Sequence, residues 1–495
     1  MEIGERIDQL IAEEPDGPAV QYENEWWTWA DLGRIRDGLG AIFDANGIRA
    51  GEGIGLVLRQ RPHALGAYVG VLSGARSAVL VTPIQPDLAM RGELLSLRLR
   101  VVVADAQDWA REGMVAAARE AGSIGVELTA DRASPVRLVE GLETAGPDPH
   151  YPPAPGVAVT VLTSGTTGPP KRIPVAYSQF RGEPPTNERE PWKRGVNIGA
   201  VPLVSIGGVL GMAQSLWRGR PTSLMERFDV VKWAELVKEH KPRQLGAPPA
   251  ALRMLLDAKV PKEYLASGTM FVAGSAPVDL ATSDEFEAVY GIPVVRSYGA
   301  TEFLGNAMGF NPDELHLVQE KRGSVGRTRP GIKMRILDIE SGEEVGPGVT
   351  GILQLDTPKR AAGAEPGWIA TNDLARVDED GFVWIMGRAD GVLIRGGFKV
   401  STDEVTAVLK EHPSVADAAV VGRPDPRLNQ VPVALVVLKA GAPAVSREEL
   451  MAWVKERKPP YCVPAEIAFG DAIPRNAMFK MVPGQVREMI EKASA

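Results

Sequence analysis

Residues 157–171 read Val157-Ala158-Val159-Thr160-Val161-Leu162-Thr163-Ser164-Gly165-Thr166-Thr167-Gly168-Pro169-Pro170-Lys171. The opening run is apolar and rich in β-branched residues, the pattern of a buried strand. Hydroxyls and glycines then crowd together and end in a lysine. Glycine permits close backbone approach and positive φ, so successive N–H groups can converge on one anion. Ser and Thr hydroxyls add donors and Lys171 adds charge, so the loop reads as a phosphate grip at the end of a strand. It is not the P-loop of kinases and ATPases, which needs G-x-x-x-x-G-K-[ST] opening a helix. Here Gly165 and Gly168 are too close together, prolines precede Lys171, and Arg172 follows it.

Working outward, residues 28–43 carry apolar positions at helical spacing after Thr28, a residue suited to capping. Residues 53–58 read as a buried strand, 63–74 as a helix, and 77–82 and 101–104 as further strands. This alternation predicts parallel sheets covered by helices. Trp26, Trp27 and Trp29 read as packing residues. Downstream, residues 196–204 are expected to form a strand entering a run of small residues that begins at Ser205. Residues 244–249, 269–277 and 294–302 each read as a strand ending in a turn. Ligands of open α/β sheets collect outside the carboxyl ends of the strands, so these loops are expected to converge on one site.

The chain has 495 residues, too many for one core. Its hydrophobic fraction of 44% and charged fraction of 24% are those of a soluble globular protein. A net charge of −8 weighs against nucleic-acid binding, which wants a basic face, but leaves room for a local basic pocket. The single cysteine, Cys462, excludes an internal disulfide and fits a reducing cytosol, so a cytoplasmic location is expected. The acidic N-terminus lacks an apolar signal core, and the most apolar window, residues 65–81, is broken by Arg76 and too short to span a membrane. The five histidines are scattered without ligand spacing, which argues against a His-based metal site.

From residue 323 to 387 the pattern becomes β-rich and turn-rich, with short strands at 333–337, 351–355 and 382–386. A compact α+β unit follows: a hairpin at 391–400, a helix near 403–411, strands at 416–421 and 433–439, and helices near Arg447 and Val486. The expected fold is α/β. A large N-terminal domain, residues 1–389, has parallel-rich sheets flanked by helices and a small β-rich subdomain at 323–387; an α+β C-terminal domain occupies 390–495.

Several separated motifs then agree. After Thr163–Lys171 come Tyr298-Gly299-Ala300-Thr301-Glu302, the run from Thr371 through Asp373 to Gly381, Gly387-Arg388-Ala389-Asp390, and Pro474-Arg475-Asn476-Ala477-Met478-Phe479-Lys480. In this order and spacing the sequence resembles the adenylate-forming superfamily of acyl- and aryl-CoA synthetases, luciferases and peptide-synthetase adenylation domains. It is closest in kind to the acyl- or aryl-CoA ligases. The resemblance implies a two-step reaction using ATP, Mg2+ and coenzyme A: a carboxylate attacks the α-phosphate, and a thiol then displaces AMP. It implies that Thr163, Ser164, Gly165, Thr166, Thr167, Gly168 and Lys171 hold the β- and γ-phosphates. Tyr298 would offer a face to the adenine, with Gly274, Ser275, Ala276 and Gly299 in the same nucleotide site. Thr301 would contact the α-phosphate and Glu302 would bind Mg2+. Asp373 would accept both ribose hydroxyls, with Arg388 supporting the same sugar. Lys480 would bridge carboxylate and α-phosphate as the mobile catalytic cation, alongside Thr301 and Glu302. Asp390 falls at the hinge of a mobile C-terminal domain, whose rotation would bring Gly396 and Gly397 to the pantetheine thiol.

Three positions depart from the family pattern. Phe479 stands where a glycine usually precedes the lysine, Asn372 replaces the glycine before Asp373, and Val204-Ser205 replaces an aromatic–histidine pair. No carboxylate near Val204 is available to hold a substrate ammonium. Ser205, Ile206, Gly207, Gly208, Gly211, Ala273, Gly299, Phe303 and Leu304 are expected to line an apolar acyl pocket. The expected substrate is therefore a hydrophobic carboxylic acid, aromatic or a medium-to-long fatty acid. Fifteen residues follow Lys480, which leaves no room for a carrier domain and makes free coenzyme A the expected acceptor. A separate acyl carrier protein is the alternative acceptor, and a non-catalytic nucleotide-binding member is the alternative class. The expected assembly is a monomer or homodimer with neither nucleic acid nor a membrane span.

Overall fold

Thr28 and Asp31 start the helix Trp29–Ala45 with a reciprocal cap: the Asp31 N–H donates to the Thr28 hydroxyl and the Thr28 N–H to the Asp31 carboxylate. This helix and Pro62–Ser73 cover one face of a seven-stranded sheet, where Ile35, Leu39, Leu65 and Val69 pack on Ile54, Leu56, Val101 and Val103. Helices Asp87–Leu97 and Met114–Ala121 cover the other face, packing on Val57, Val79 and Val102. The computed structural model that shows this describes residues 1–147, 150–162, 171–180, 195–274, 278, 280–339, 341–395, 398–425, 428–476 and 481–494.

Strand order across that sheet is 136–138, 124–128, 101–105, 53–57, 77–81, 157–162, 172–176. The five inner strands are parallel and the two edge strands antiparallel. Burial on both faces explains why Gly53–Val57, Ser77–Val81 and Val101–Asp105 carry almost no alternation of polar and apolar residues. From 53–57 the chain crosses to 77–81 on one side and returns to 101–105 on the other.

A second sheet runs 197–199, 222–224, 18–22, 25–28. A third, parallel sheet runs 244–246, 270–273, 294–296 and packs with helices Val230–His240, Ala250–Asp257 and Leu280–Tyr290. Trp233, Phe271 and Phe286 form its aromatic centre, with ring centroids 6.0 and 5.3 Å apart. The strands expected to feed one site thus belong to four sheets, since Tyr298–Ala300 lies in a further sheet with 305–309 and 327–328. The strand expected over 196–204 is shorter, Asn197–Gly199, because Pro202 has no N–H for a ladder and the Ser205 N–H instead turns back to the Pro202 carbonyl.

Packing divides the described residues into two units, Met1–Ala307 with Pro358–Glu365, and Met308–Thr357 with Pro366–Ala495. The β-rich segment therefore groups with the C-terminal region, a different cut from the boundary expected after Ala389. In the second unit, strands 333–337, 351–356, 369–377 and 383–388 form an antiparallel sheet. Strands 398–401, 392–395, 429–438 and 415–425 form another, with 466–469 added parallel to 429–438. Helices Thr402–Lys410 and Arg447–Arg457 pack on one face of this last sheet, and Pro483–Ser494 on the other. Among the described residues no helix is long and apolar enough to cross a membrane.

Candidate active site

Strand Val157–Leu162 pairs antiparallel with Arg172–Ala176 at the sheet edge, Leu162 opposite Arg172. Arg172 anchors this edge: the guanidinium donates to the Leu80 carbonyl at 3.2 Å and pairs with Glu93. Lys171 is exposed beside this anchor. Thr163, Ser164, Gly165, Thr166, Thr167 and Gly168 lie outside the described residues, as do Ser275, Ala276, Gly396, Gly397 and Lys480.

On the third sheet Ala273 pairs with Arg296, and the Ser297 N–H donates to the Ala273 carbonyl at 2.9 Å. A Cβ at Gly274 would stand 2.5 Å from the Ser297 hydroxyl, so a larger residue there would make that side chain turn aside. The strand Tyr298–Ala300 follows, then the 3-10 turn Thr301–Phe303 and Leu304, whose φ of +50° is left-handed. That turn folds the chain back so tightly that a Cβ on Gly299 would stand 2.2 Å from the Gly305 carbonyl oxygen. The Tyr298 and Phe303 rings lie 5.7 Å apart, which fixes the tyrosine ring against a buried neighbour. Glu302 is exposed at the turn and Thr301 half-buried.

The return strand packs on helix Ile206–Arg218: Leu304 shares a core with Val209 and Met212, and a Cβ on Gly305 would press on Leu210. Ser205 caps this helix, accepting the Gly208 N–H at 3.1 Å and donating to the Pro202 carbonyl at 2.8 Å. Gly208 is required there, because a Cβ would lie 2.0 Å from the Pro202 oxygen. Ile206, Gly208, Gly299 and Leu304 of the expected acyl pocket are thus gathered around one helix start. Gly207 is exposed there, and Gly211 is half-buried in the same helix. Ala273 and Phe303 are buried, Ala273 within the aromatic core of the third sheet. Leu210 and Gly305 were not foreseen; the signal for Gly305 is a glycine directly after a residue forced left-handed.

In the second unit Asp373 and Arg388 are direct partners across strands Ile369–Val377 and Val383–Arg388, their charged groups 3.6 Å apart. The Asp373 N–H donates to the Thr371 hydroxyl at 3.1 Å, and that hydroxyl donates to the Leu353 carbonyl at 2.7 Å. The ladder slips between Leu374 and Ala375, and Gly387 takes φ +115° opposite Leu374. A bulge of this kind re-aims neighbouring side chains. Asp390 lies in the short turn Ala389–Gly391.

Mg2+ takes a few carboxylate oxygens and completes its shell with water and substrate phosphate. Glu302 suits that role: its carboxylate is exposed and no ion pair engages it among the described residues. Among those residues no group of three or more His, Cys, Asp or Glu could hold a metal by itself, so substrate oxygens would complete the shell.

A cluster of ion pairs lies at the carboxyl ends of strands 53–57 and 101–105. Arg59 grips Asp108 through two 2.7 Å bonds, and Arg61 bridges Asp105 at 2.9 Å and Glu226 at 2.8 Å. His63 Nε2 lies 2.7 Å from Asp105. An open cavity of about 440 Å³ adjoins Arg61, His63, Asp105, Glu127 and Arg137. Burial would raise the Asp105 carboxyl, but the bonds from His63 and the Gln107 N–H and the charge of Arg61 outweigh it and bring it to about 2.

Residues 7–363 match the AMP-binding enzyme family. The chain belongs to that family. Residues 404–480 match its C-terminal domain. The chain is 29% identical over 378 residues to a rice (Oryza sativa subsp. japonica) 4-coumarate–CoA ligase-like protein, covering 69% of this chain and 62% of that relative's length. It is 25% identical to a Bacillus subtilis long-chain-fatty-acid–CoA ligase, covering 96% of this chain and 92% of the relative. A fatty acid–[acyl-carrier-protein] ligase of Streptomyces coeruleorubidus is 28% identical, covering 96% and 94%. ATP-bound MatB of Rhodopseudomonas palustris superposes with a TM-score of 0.81 at 23% identity over 99% of both chains, a likeness of fold.

Proposed function

We propose that this AMP-binding enzyme is an ATP-dependent carboxylate–coenzyme A ligase acting on a hydrophobic aromatic or medium-to-long-chain acid. In the first step a carboxylate oxygen forms a bond to the α-phosphorus while the α–β bridging bond breaks, releasing pyrophosphate. In the second the coenzyme A sulfur bonds to the acyl carbon, its proton passes to solvent, and AMP leaves. Both steps are governed by positioning and by stabilising charge that builds on phosphate oxygens. Mg2+, when bound, supplies positive charge to the phosphate oxygens, and Glu302 is the residue proposed to hold it. Tyr298, held by Phe303, presents the adenine face; Asp373 accepts the ribose hydroxyls, with its neighbour Arg388 restraining the carboxylate. Thr163–Gly168 and Lys171 grip the outer phosphates, with Gly274, Ser275, Ala276, Gly299 and Thr301 completing the nucleotide site. Lys480 is the catalytic cation of the first step, Asp390 the hinge, and Gly396 and Gly397 face the pantetheine.

The observation that carries the reading is the family match over residues 7–363 together with the Asp373–Arg388 pair, a carboxylate able to accept two hydroxyls with a guanidinium 3.6 Å from it. The apolar, glycine-rich start of helix Ile206–Arg218 supports a hydrophobic acyl group. A separate acyl carrier protein is the second reading of the acceptor, favoured by the similarity to a carrier-protein ligase along nearly the whole chain. Pyrophosphate release from ATP and Mg2+ across aromatic and C2–C18 acids, with and without coenzyme A, tests both. Acid-dependent release with a thioester product supports the ligase. Release without thioester moves the acceptor to a carrier protein, and silence across the panel overturns the substrate class.

A further inference from the structure

Lys480 lies outside the described residues, but the residues flanking 477–480 are joined: Arg475 and Met481 form an antiparallel bridge, and the Val482 N–H donates to the Pro474 carbonyl at 3.0 Å. Ile473 and Met481 pack into the core made by Val486 and Ile490 of helix Pro483–Ser494, so this junction is seated in apolar contacts. One polar clamp adds to this seat. The Arg475 guanidinium donates to Asp417 Oδ2 at 2.7 Å. The other oxygen of Asp417 accepts the Ala418 N–H at 2.9 Å and faces the Lys410 ammonium at 3.4 Å, so the carboxylate is held from both sides. Asp417 also follows a register slip of strand Val415–Asp425, where Val415 opposes Leu438 but Asp417 opposes Val437. The bulge turns the Asp417 side chain out of the regular alternation.

We propose that Arg475 and Asp417 are positioning residues for adenylation: their ion pair sets the angle at which this junction leaves the sheet, and with it the reach of Lys480. The inference rests on the reading of Lys480 as the catalytic cation. A partly exposed pair contributes little to global stability. Displacing a reacting group by about 1 Å can nonetheless cost on the order of 100-fold in rate. The pair is therefore built to matter for geometry and not for folding.

The test compares R475M, D417N, the swap D417R/R475D and K480A, using pyrophosphate release with octanoate, or whichever acid of the panel turns over fastest. Thioester formation from supplied acyl-adenylate and coenzyme A is measured in parallel. We expect R475M and D417N each to lower kcat of adenylation roughly 10- to 100-fold. KM for ATP, thioester formation and Tm should stay near wild type. The swap should recover much of the loss, and R475M should cost nothing further in a K480A background. Wild-type adenylation in R475M, with K480A inactive, overturns the positioning role alone. Parallel loss of both half-reactions with a falling Tm shows a merely structural pair and also overturns it. Full adenylation in K480A overturns the reading of Lys480 and this inference with it.

Discussion

Asp373 and Arg388 face each other across adjacent antiparallel strands, carboxylate and guanidinium 3.6 Å apart. The pair is partly exposed, so it adds little to stability, at most about 1 kcal/mol. Asp373→Asn should leave Tm within a few degrees of wild type yet weaken ATP or AMP binding by about tenfold or more, since a hydrogen bond to a charged group contributes roughly 1.5–3 kcal/mol. Arg388→Met should weaken binding less. Calorimetric titration with AMP checks both; a loss of Tm equal to the loss of binding would assign the pair to folding.

Gly299→Ala sets a methyl group 2.2 Å from the Gly305 carbonyl oxygen, and Gly208→Ala sets one 2.0 Å from the Pro202 oxygen. Backbone atoms cannot step aside, so each substitution should cost roughly 1–3 kcal/mol. Gly211→Ala meets nothing within 4 Å and lies inside helix Ile206–Arg218. It should stabilise by roughly 0.5–1 kcal/mol. If Gly211 lines the acyl pocket, the same change should shorten the preferred acid. Thermal unfolding and acid chain-length profiles read the two effects separately.

The Asp105 carboxyl, brought to about 2 in the folded chain, titrates below its ordinary value. Its contribution is therefore complete above about pH 4 and is lost as the pH falls toward about 2. Asp105→Asn should lower stability at pH 7 by about 2 kcal/mol and flatten the acid limb of a stability–pH profile. Urea midpoints between pH 2 and 7 measure this, and an unchanged acid limb would exclude Asp105 as its source.

Ser205→Ala removes the cap of helix Ile206–Arg218, the bonds to the Gly208 N–H and the Pro202 carbonyl. The expected cost is about 1 kcal/mol, read in the urea midpoint. Ser205→Thr should retain most of the cap. A change in KM for the acid in the alanine variant, beyond the loss of stability, would place Ser205 against the acyl group.

The strands at 53–57, 77–81 and 101–105, the helix started by Thr28 and the antiparallel strands after 333 were legible because each is written in local periodicity. The glycine- and hydroxyl-rich loop after Leu162 and the separated motifs pointed to the AMP-binding family, which the match over residues 7–363 bears out. Less local features were not legible. Helix Asp87–Leu97 was missed because Leu88 is exposed while Met90 and Leu94 are buried, which blurs its apolar stripe. The strand expected over 196–204 is only Asn197–Gly199, and the strands expected around the site are shared among four sheets.

The sequence by itself determined which residue types stand at each motif and the helix or strand character of the strongly periodic segments. Only the tertiary structure decided that Asp373 opposes Arg388, that Asp417 holds Arg475, and that Leu304 folds Gly305 onto Gly299. Periodicity follows from the backbone repeat of each element and is present in every short window. Register, bulges and crossings follow from side chains distant in sequence competing for the same volume, and no short window contains both competitors.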